Sequence, residues 1–302
     1  MISHRTTARG TLLLALALLT LASGAGAAAP PNKIVFPVLG TATYTDDFGE
    51  ARAGGRHQGI DIVAVKRSLA LAAEAGKVEF WTKSATAGCM LYLHGQSGTD
   101  YDYIHLNNDL TPKNDNRGKC VAGTAYFKGL KNGAKVVAGQ PVGYVGDSGD
   151  ANGIHPHLHF ELHPNRKAAV DPYAWLQRAT HLLFSARRGS PFTLELLGSV
   201  AAVTEDSVQL SVTTVNAWPM RQKQTKLKRR LLVSVPTTAT VQFVPRLGDP
   251  GTPTDLTSLK PKEQVDIWTT PAPTTLRAQR GDDLVLSASL VSAVAPPARR
   301  SP

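Results

Sequence analysis

The stretch Gly153-Ile-His-Pro-His-Leu-His-Phe-Glu-Leu-His163 holds four of the chain's nine histidines. From His157 onward it alternates: His157, His159, Glu161 and His163 share one parity, and Leu158, Phe160 and Leu162 share the other. Successive side chains of an extended strand point to opposite faces. The run therefore reads as a strand with one face in a core and one open to chemistry. Parity does not separate its histidines, because residues 155, 157, 159 and 163 could all share that open face.

The same short apolar runs recur on either side, broken by glycine and polar turns. They include Gly76-Lys-Val-Glu-Phe-Trp81, Cys89-Met-Leu-Tyr-Leu93, Tyr101-Asp-Tyr-Ile-His-Leu106, Lys135-Val-Val137 and Pro141-Val-Gly-Tyr-Val145. Period-two runs at this spacing predict an antiparallel sheet with tight turns over about residues 33–165. One short helix is expected over Pro172–Arg178, capped by Asp171 with proline at its first position. Residues 107–134 are polar and glycine-rich, and a connection that long is usually functional or tethered. The two cysteines, Cys89 and Cys120, offer the tether as a disulfide.

Arg5 and Arg9 precede an apolar run over residues 11–22, followed by small residues to Ala29. This is the pattern of an export signal, with Ala25-Gly-Ala27 as the cleavage sequence and residues 1–27 removed. The run is too short to span a bilayer, and no second one follows. A periplasmic or extracellular protein without a transmembrane segment is expected, in a compartment where disulfides persist.

The formal net charge is +10, half of it from residues 188–302. Much of that half lies in Arg221-Gln-Lys-Gln-Thr-Lys-Leu-Lys-Arg-Arg230, which reads as a solvated loop or as a face for anionic wall and envelope polymers. Export takes nucleic acid off the list of partners. Strand signals resume after Arg187-Arg-Gly-Ser-Pro191, at Val208–Val212, Leu231–Val235, Val265–Trp268 and Leu284–Leu290. The expected organisation is a mainly β unit over 31–185, a small all-β barrel or sandwich over 190–295 that contains no histidine, and a disordered tail at 296–302.

Three motifs carry chemistry. In Arg56-His-Gln-Gly-Ile-Asp-Ile62, positions 57, 59 and 61 would share one face of an extended strand, with Gly59 leaving room for an ion between His57 and Asp61. His157-Leu-His159 presents two imidazoles on one side. Tyr101-Asp-Tyr-Ile-His105 does the same for two tyrosines and a histidine. A catalytic zinc site needs about three nitrogen or oxygen ligands and an open position. His57, Asp61 and one of His157 or His159 supply such a set, and imidazole with carboxylate suits zinc better than calcium or magnesium.

His57-Gln-Gly-Ile-Asp61 and His157-Leu-His159 resemble the HxGxD and HxH motifs of the lysostaphin/LytM-type zinc metallopeptidases, the M23 family of peptidoglycan endopeptidases. Phe48-Gly49, Ala73–Val78, Tyr103–Leu106, Ala138–Gly146 and Pro156–Glu161 fall in the family's order, so the resemblance covers about residues 36–177. It implies one zinc ion held by His57, Asp61 and His159, with His105 and His157 as metal-free catalytic histidines. Hydrolysis of peptide cross-links in peptidoglycan is the implied activity. The alternative is a silent LytM-like domain that binds the wall and regulates other hydrolases. The chain departs from the family pattern at Ala51, where lysostaphin-like members carry a tyrosine, and Tyr101 or Tyr103 is then the candidate replacement. The 107–134 segment is longer than usual, and His155 and His163 are left without a role.

Overall fold

The computed structural model describes Met1 and residues 33–294. Apart from Met1, the expected export segment and the 296–302 tail lie outside the described residues.

The alternating runs assemble into one seven-stranded sheet. Its order is Ala42–Thr43, Ile60–Ala64, His157–His163, Asp100–Leu106, Cys89–Gly95, Gly76–Trp81 and Lys135–Val136, and all neighbours are antiparallel. The histidine-rich strand is thus interior, between Ile60–Ala64 and Asp100–Leu106. Its apolar parity packs as expected: Leu158, Phe160 and Leu162 are fully buried with Ile60, Ile62, Leu91, Leu93, Val78, Tyr101 and Tyr103. Each such aliphatic or aromatic side chain contributes roughly 1.5–3 kcal/mol of transfer free energy. That face fixes the register, because a slip by one residue would send every buried side chain to water. The register sets His159 opposite Asp61 and Glu161 opposite Asp102.

The helix forms at Tyr173–Arg178, with Pro172 in the cap position rather than the first helical turn. Asp171 still accepts the backbone N–H of Tyr173 at 2.7 Å. Residues 107–134 are ordered by internal polar contacts. Asp109 accepts the backbone N–H groups of Asp115 and Asn116 and an ammonium bond from Lys66. The Cys89–Cys120 disulfide ties the segment to the sheet.

A second core gathers Leu183 to Ala293. Its long strands Pro191–Val203 and Ser207–Trp218 pair with each other, and Gln264–Thr269 and Ala288–Val294 continue the sheet. Arg229–Ser234 pairs on the other side of Ser207–Trp218 and bonds back to residues 284–287 through Ser234 N–H to Leu286 O and Leu284 N–H to Leu232 O. One isolated bridge, Ser234 to Ser287, links the two ends of the sheet in the manner of a small barrel. Thr240–Val244 lies parallel to Ala288–Val294, one departure from an antiparallel pattern. Within the basic run, Arg229 is only half-exposed and donates to the carbonyls of His181 and Arg280. It therefore stitches the barrel to the preceding segment, whereas Arg221, Lys223, Lys226, Lys228 and Arg230 are exposed.

Candidate functional site

The outward parity of the sheet carries the polar side chains. His57 does not share a strand with Asp61, contrary to the parity expected from the motif: the strand begins at Ile60, and His57 lies on the turn that follows Gly55–Arg56. Gly59 does not leave a hollow either. A Cβ there would lie 2.5 Å from the carbonyl oxygen of Phe160 and 2.8 Å from His159 Nε2. The glycine is required because the 157–163 strand packs directly against it, and that close approach brings His57 over the strand.

Three atoms then converge. His57 Nε2 lies 3.1 Å from Asp61 Oδ1 and 2.9 Å from His159 Nδ1, and His159 Nδ1 lies 3.0 Å from the same carboxylate oxygen. Neighbouring ligands of a tetrahedral zinc with bonds of 2.0–2.1 Å are separated by roughly 3.3 Å, so the spacing fits that ion. The hydrogen bonds of the opposite ring nitrogens fit it too. His57 Nδ1 contacts the carbonyl of Asp47 at 2.9 Å, and a carbonyl only accepts, so Nδ1 carries the hydrogen. His159 Nε2 donates to Glu161 Oε1 at 2.9 Å. Both imidazoles therefore present lone pairs to the Asp61 carboxylate, an arrangement that calls for a cation between them. In the metal-free chain a proton takes that place on His159: burial alone would lower its pKa, but hydrogen bonds to Asp61 and Glu161 outweigh it and raise it to about 9. Burial is likewise outweighed at Asp61, whose carboxyl is held far below its usual range by His159 and His57.

His105 and His157 face the same cleft, with ring centroids 5.1 Å apart. His105 reaches it by breaking the strand's alternation. Its φ is +61°, and the Cys89–Gly95 strand skips a residue opposite it, a bulge that turns the imidazole away from the core where Tyr101 and Tyr103 lie. The two tyrosines therefore cannot replace the one missing at position 51. Tyr101 donates to Glu74 and Tyr103 to the carbonyl of Leu71, both fully buried. His105 Nδ1–H donates to Ser148 O at 2.8 Å and His157 Nδ1–H to His155 O at 3.0 Å. Each ring is left with a basic Nε2, that of His157 lying 3.7 Å from Asp61. Burial and the neighbouring imidazoles push the His105 pKa down to about 4, so it is neutral at neutral pH.

The cleft has a volume of about 380 Å³, and Arg52, Thr86, Asp150 and Ile154 also line it. A larger hollow of about 780 Å³ lies beside His181 and Arg229, remote from these groups, so chemistry rather than size identifies the site. Asn114 and Asn116 of the long segment donate to Asn152, which braces the wall that contains Asp150 and Ile154. Sequence reasoning missed Arg52, whose Nη2 donates to Asp61 Oδ2 at 3.2 Å and to Asp47 Oδ2 at 3.1 Å. Its place beside Ala51, where the family pattern has a tyrosine, was the available signal. His155 is exposed; its carbonyl accepts from His157, and its ring lies with its centroid 5.8 Å from that of His157. His163 Nε2 donates to Glu161 Oε2 at 2.7 Å, so it too is part of the polar face.

Among the described residues no helix is long and apolar enough to cross a membrane. Residues 55–172 match the family model of peptidase family M23. The L-Ala--D-Glu endopeptidase of Bacillus subtilis (strain 168) is 28% identical over 152 residues, 47% of this chain and 41% of that protein, so the chain spans about two fifths of its relative's length. The catalytic domain of the antimicrobial peptidase lysostaphin from Staphylococcus simulans is 25% identical, aligned over 45% of this chain and 92% of that one with a TM-score of 0.35. Csd3 of Helicobacter pylori is 27% identical, over 48% of this chain and 34% of that one, with a TM-score of 0.35. On the sequence match, residues 55–172 belong to peptidase family M23.

Proposed function

We propose that the chain is an exported zinc metalloendopeptidase that hydrolyses peptide cross-links of bacterial peptidoglycan, with His57, Asp61 and His159 as zinc ligands and His105 and His157 as catalytic histidines. The observation that carries the reading is the convergence of three ligand atoms within 3.1 Å of one another, beside two imidazoles with basic Nε2 atoms in the same cleft. When bound, zinc supplies the Lewis acid that polarises the scissile carbonyl and acidifies the attacking water.

The rest is done by side chains. One of His105 and His157 takes the water's proton at Nε2, and the imidazolium so formed steadies the oxyanion that develops on the carbonyl before passing the proton to the leaving amine. Their Nδ1 bonds to Ser148 O and His155 O fix both tautomers for that work. Arg52 shares Asp61's second oxygen and keeps that carboxylate oriented. The barrel serves wall binding, with the exposed cations of Arg221–Arg230 facing anionic polymers.

Purified protein should release peptides from wall sacculi, lose that activity to a chelator and regain it with zinc. His159→Ala should lose the tightly bound zinc that supports activity, and His157→Ala should abolish hydrolysis while that zinc stays bound. A protein that takes up no zinc, or whose His157→Ala variant is the one that loses it, would overturn the assignment.

A further inference from the structure

One strand spacing along from the ligand cluster, the outward face holds a second group of metal-ligating side chains. Asp102, Glu161 and His163 each offer one ligand atom, all within 4.8 Å of one another. Glu161 and Asp102 are cross-strand partners in register, so two carboxylates stand directly opposite each other. Like charges so placed repel, and the sheet gains only if a cation lies between them. Asp102 has 8% of its surface exposed, and its carboxylate accepts no hydrogen bond among the described residues. Its nearest positive partner is His163 Nε2, at 3.8 Å. The neighbouring acids have closer cations: Asp100 contacts His94 at 3.0 Å and Arg166 at 3.5 Å, and Glu79 contacts His94 at 3.0 Å. Asp102 has no ion pair shorter than 3.8 Å among the described residues.

His163 is oriented toward the carboxylates in the same way as His57. Its Nδ1 donates to the carbonyl of Lys167 at 2.8 Å, so Nε2 is the atom that meets Glu161 Oε2 at 2.7 Å and Asp102 Oδ2 at 3.8 Å, and it becomes a ligand when an ion displaces its proton.

We propose that Asp102, Glu161 and His163 form a second metal site, for a divalent transition ion such as zinc. One imidazole with two carboxylates selects that class over calcium or magnesium. The site binds more weakly than the first, because Asp102 must close from 3.8 Å toward the roughly 3.3 Å that neighbouring zinc ligands keep. It is also coupled to the first, since Glu161 holds His159 with Oε1 and the second ion with Oε2. Occupancy of either site then alters the affinity of the other by the same factor.

The test is calorimetric titration of the untagged, metal-stripped full chain with Zn²⁺ alone. Two ions per chain are expected, the second in a weaker step. Asp102→Asn and His163→Gln should each lose the second step and keep the first, which also reports that the variant is folded. His94→Gln should keep both. In the wild-type chain itself, the His163 imidazole nitrogen resonances should move during the second step. A single equivalent in the wild type, a second step that survives Asp102→Asn and His163→Gln or is lost in His94→Gln, or an unmoved His163 resonance would overturn the proposal. His57→Ala separates this result from the peptidase reading: the first ion should go and the one at His163 should stay.

Discussion

At His57 and at His163 the chain uses one device, a ring whose Nδ1 is committed to a backbone carbonyl so that Nε2 faces carboxylates. The two clusters differ in how they are closed. The first takes His57 from a turn pressed onto the 157–163 strand at Gly59, and its ligand atoms lie 2.9–3.1 Å apart. The second takes all three residues from two adjacent strands, whose spacing the sheet dictates, and leaves a gap of 3.8 Å. Ligands on a flat sheet keep the sheet's spacing; a residue brought in from outside the sheet closes the shell.

Removing the outside residue should therefore have the largest effect. His57→Ala is expected to lower wall hydrolysis by at least about 10³-fold, since several kcal/mol of transition-state stabilisation goes with the metal, and to empty the first site in a zinc assay. Glu161→Gln strikes both clusters at once. It keeps an acceptor for His159 but removes the charge, and zinc affinity at the first site should fall by roughly 10–100-fold in a competition titration. Gly59→Ala tests the close approach itself: the new methyl meets Phe160 O and must push the strand away, at a cost of about 1–3 kcal/mol in denaturant unfolding, with weaker zinc binding. The smallest effect is a pH profile measured on the metal-stripped chain. His105 takes up its proton near pH 6.5 when unfolded and only at about 4 when folded. Wild-type stability contributed by the neutral ring is therefore present above pH 6.5 and is lost as pH falls toward 4. His105→Asn, which tolerates the left-handed backbone, should flatten the melting-temperature profile over that window.

Much of this was legible in one sequence. Strands with a buried parity announced themselves, and Leu158, Phe160, Ile60 and Ile62 pack where alternation put them. His57 and Asp61 stood out in their own motif, His159 was separated from His157 only through the resemblance, and the structure brings the three together. What escaped depended on departures from ideal geometry or on partners far along the chain. Parity placed His105 with Tyr101 and Tyr103, because nothing local marks a non-glycine residue at φ +61°. Gly59 was read as space, because the strand that fills it is a hundred residues away. Arg52 and Asp102 owe their importance to register between strands, which period-two patterns do not reveal.

Gly59 has one more consequence. A strand written His-x-His-x-Glu-x-His is nearly degenerate under a shift of two residues: the buried face stays apolar, and a histidine still arrives opposite Asp61. Hydrophobic burial cannot choose between these alignments. The choice falls to the polar face: in the observed alignment His159 meets Asp61 and His57, and Glu161 is left to accept from His159 Nε2. Gly59 lets that alignment close, because a single methyl group there would lie 2.8 Å from the His159 ring and hold the ligand off.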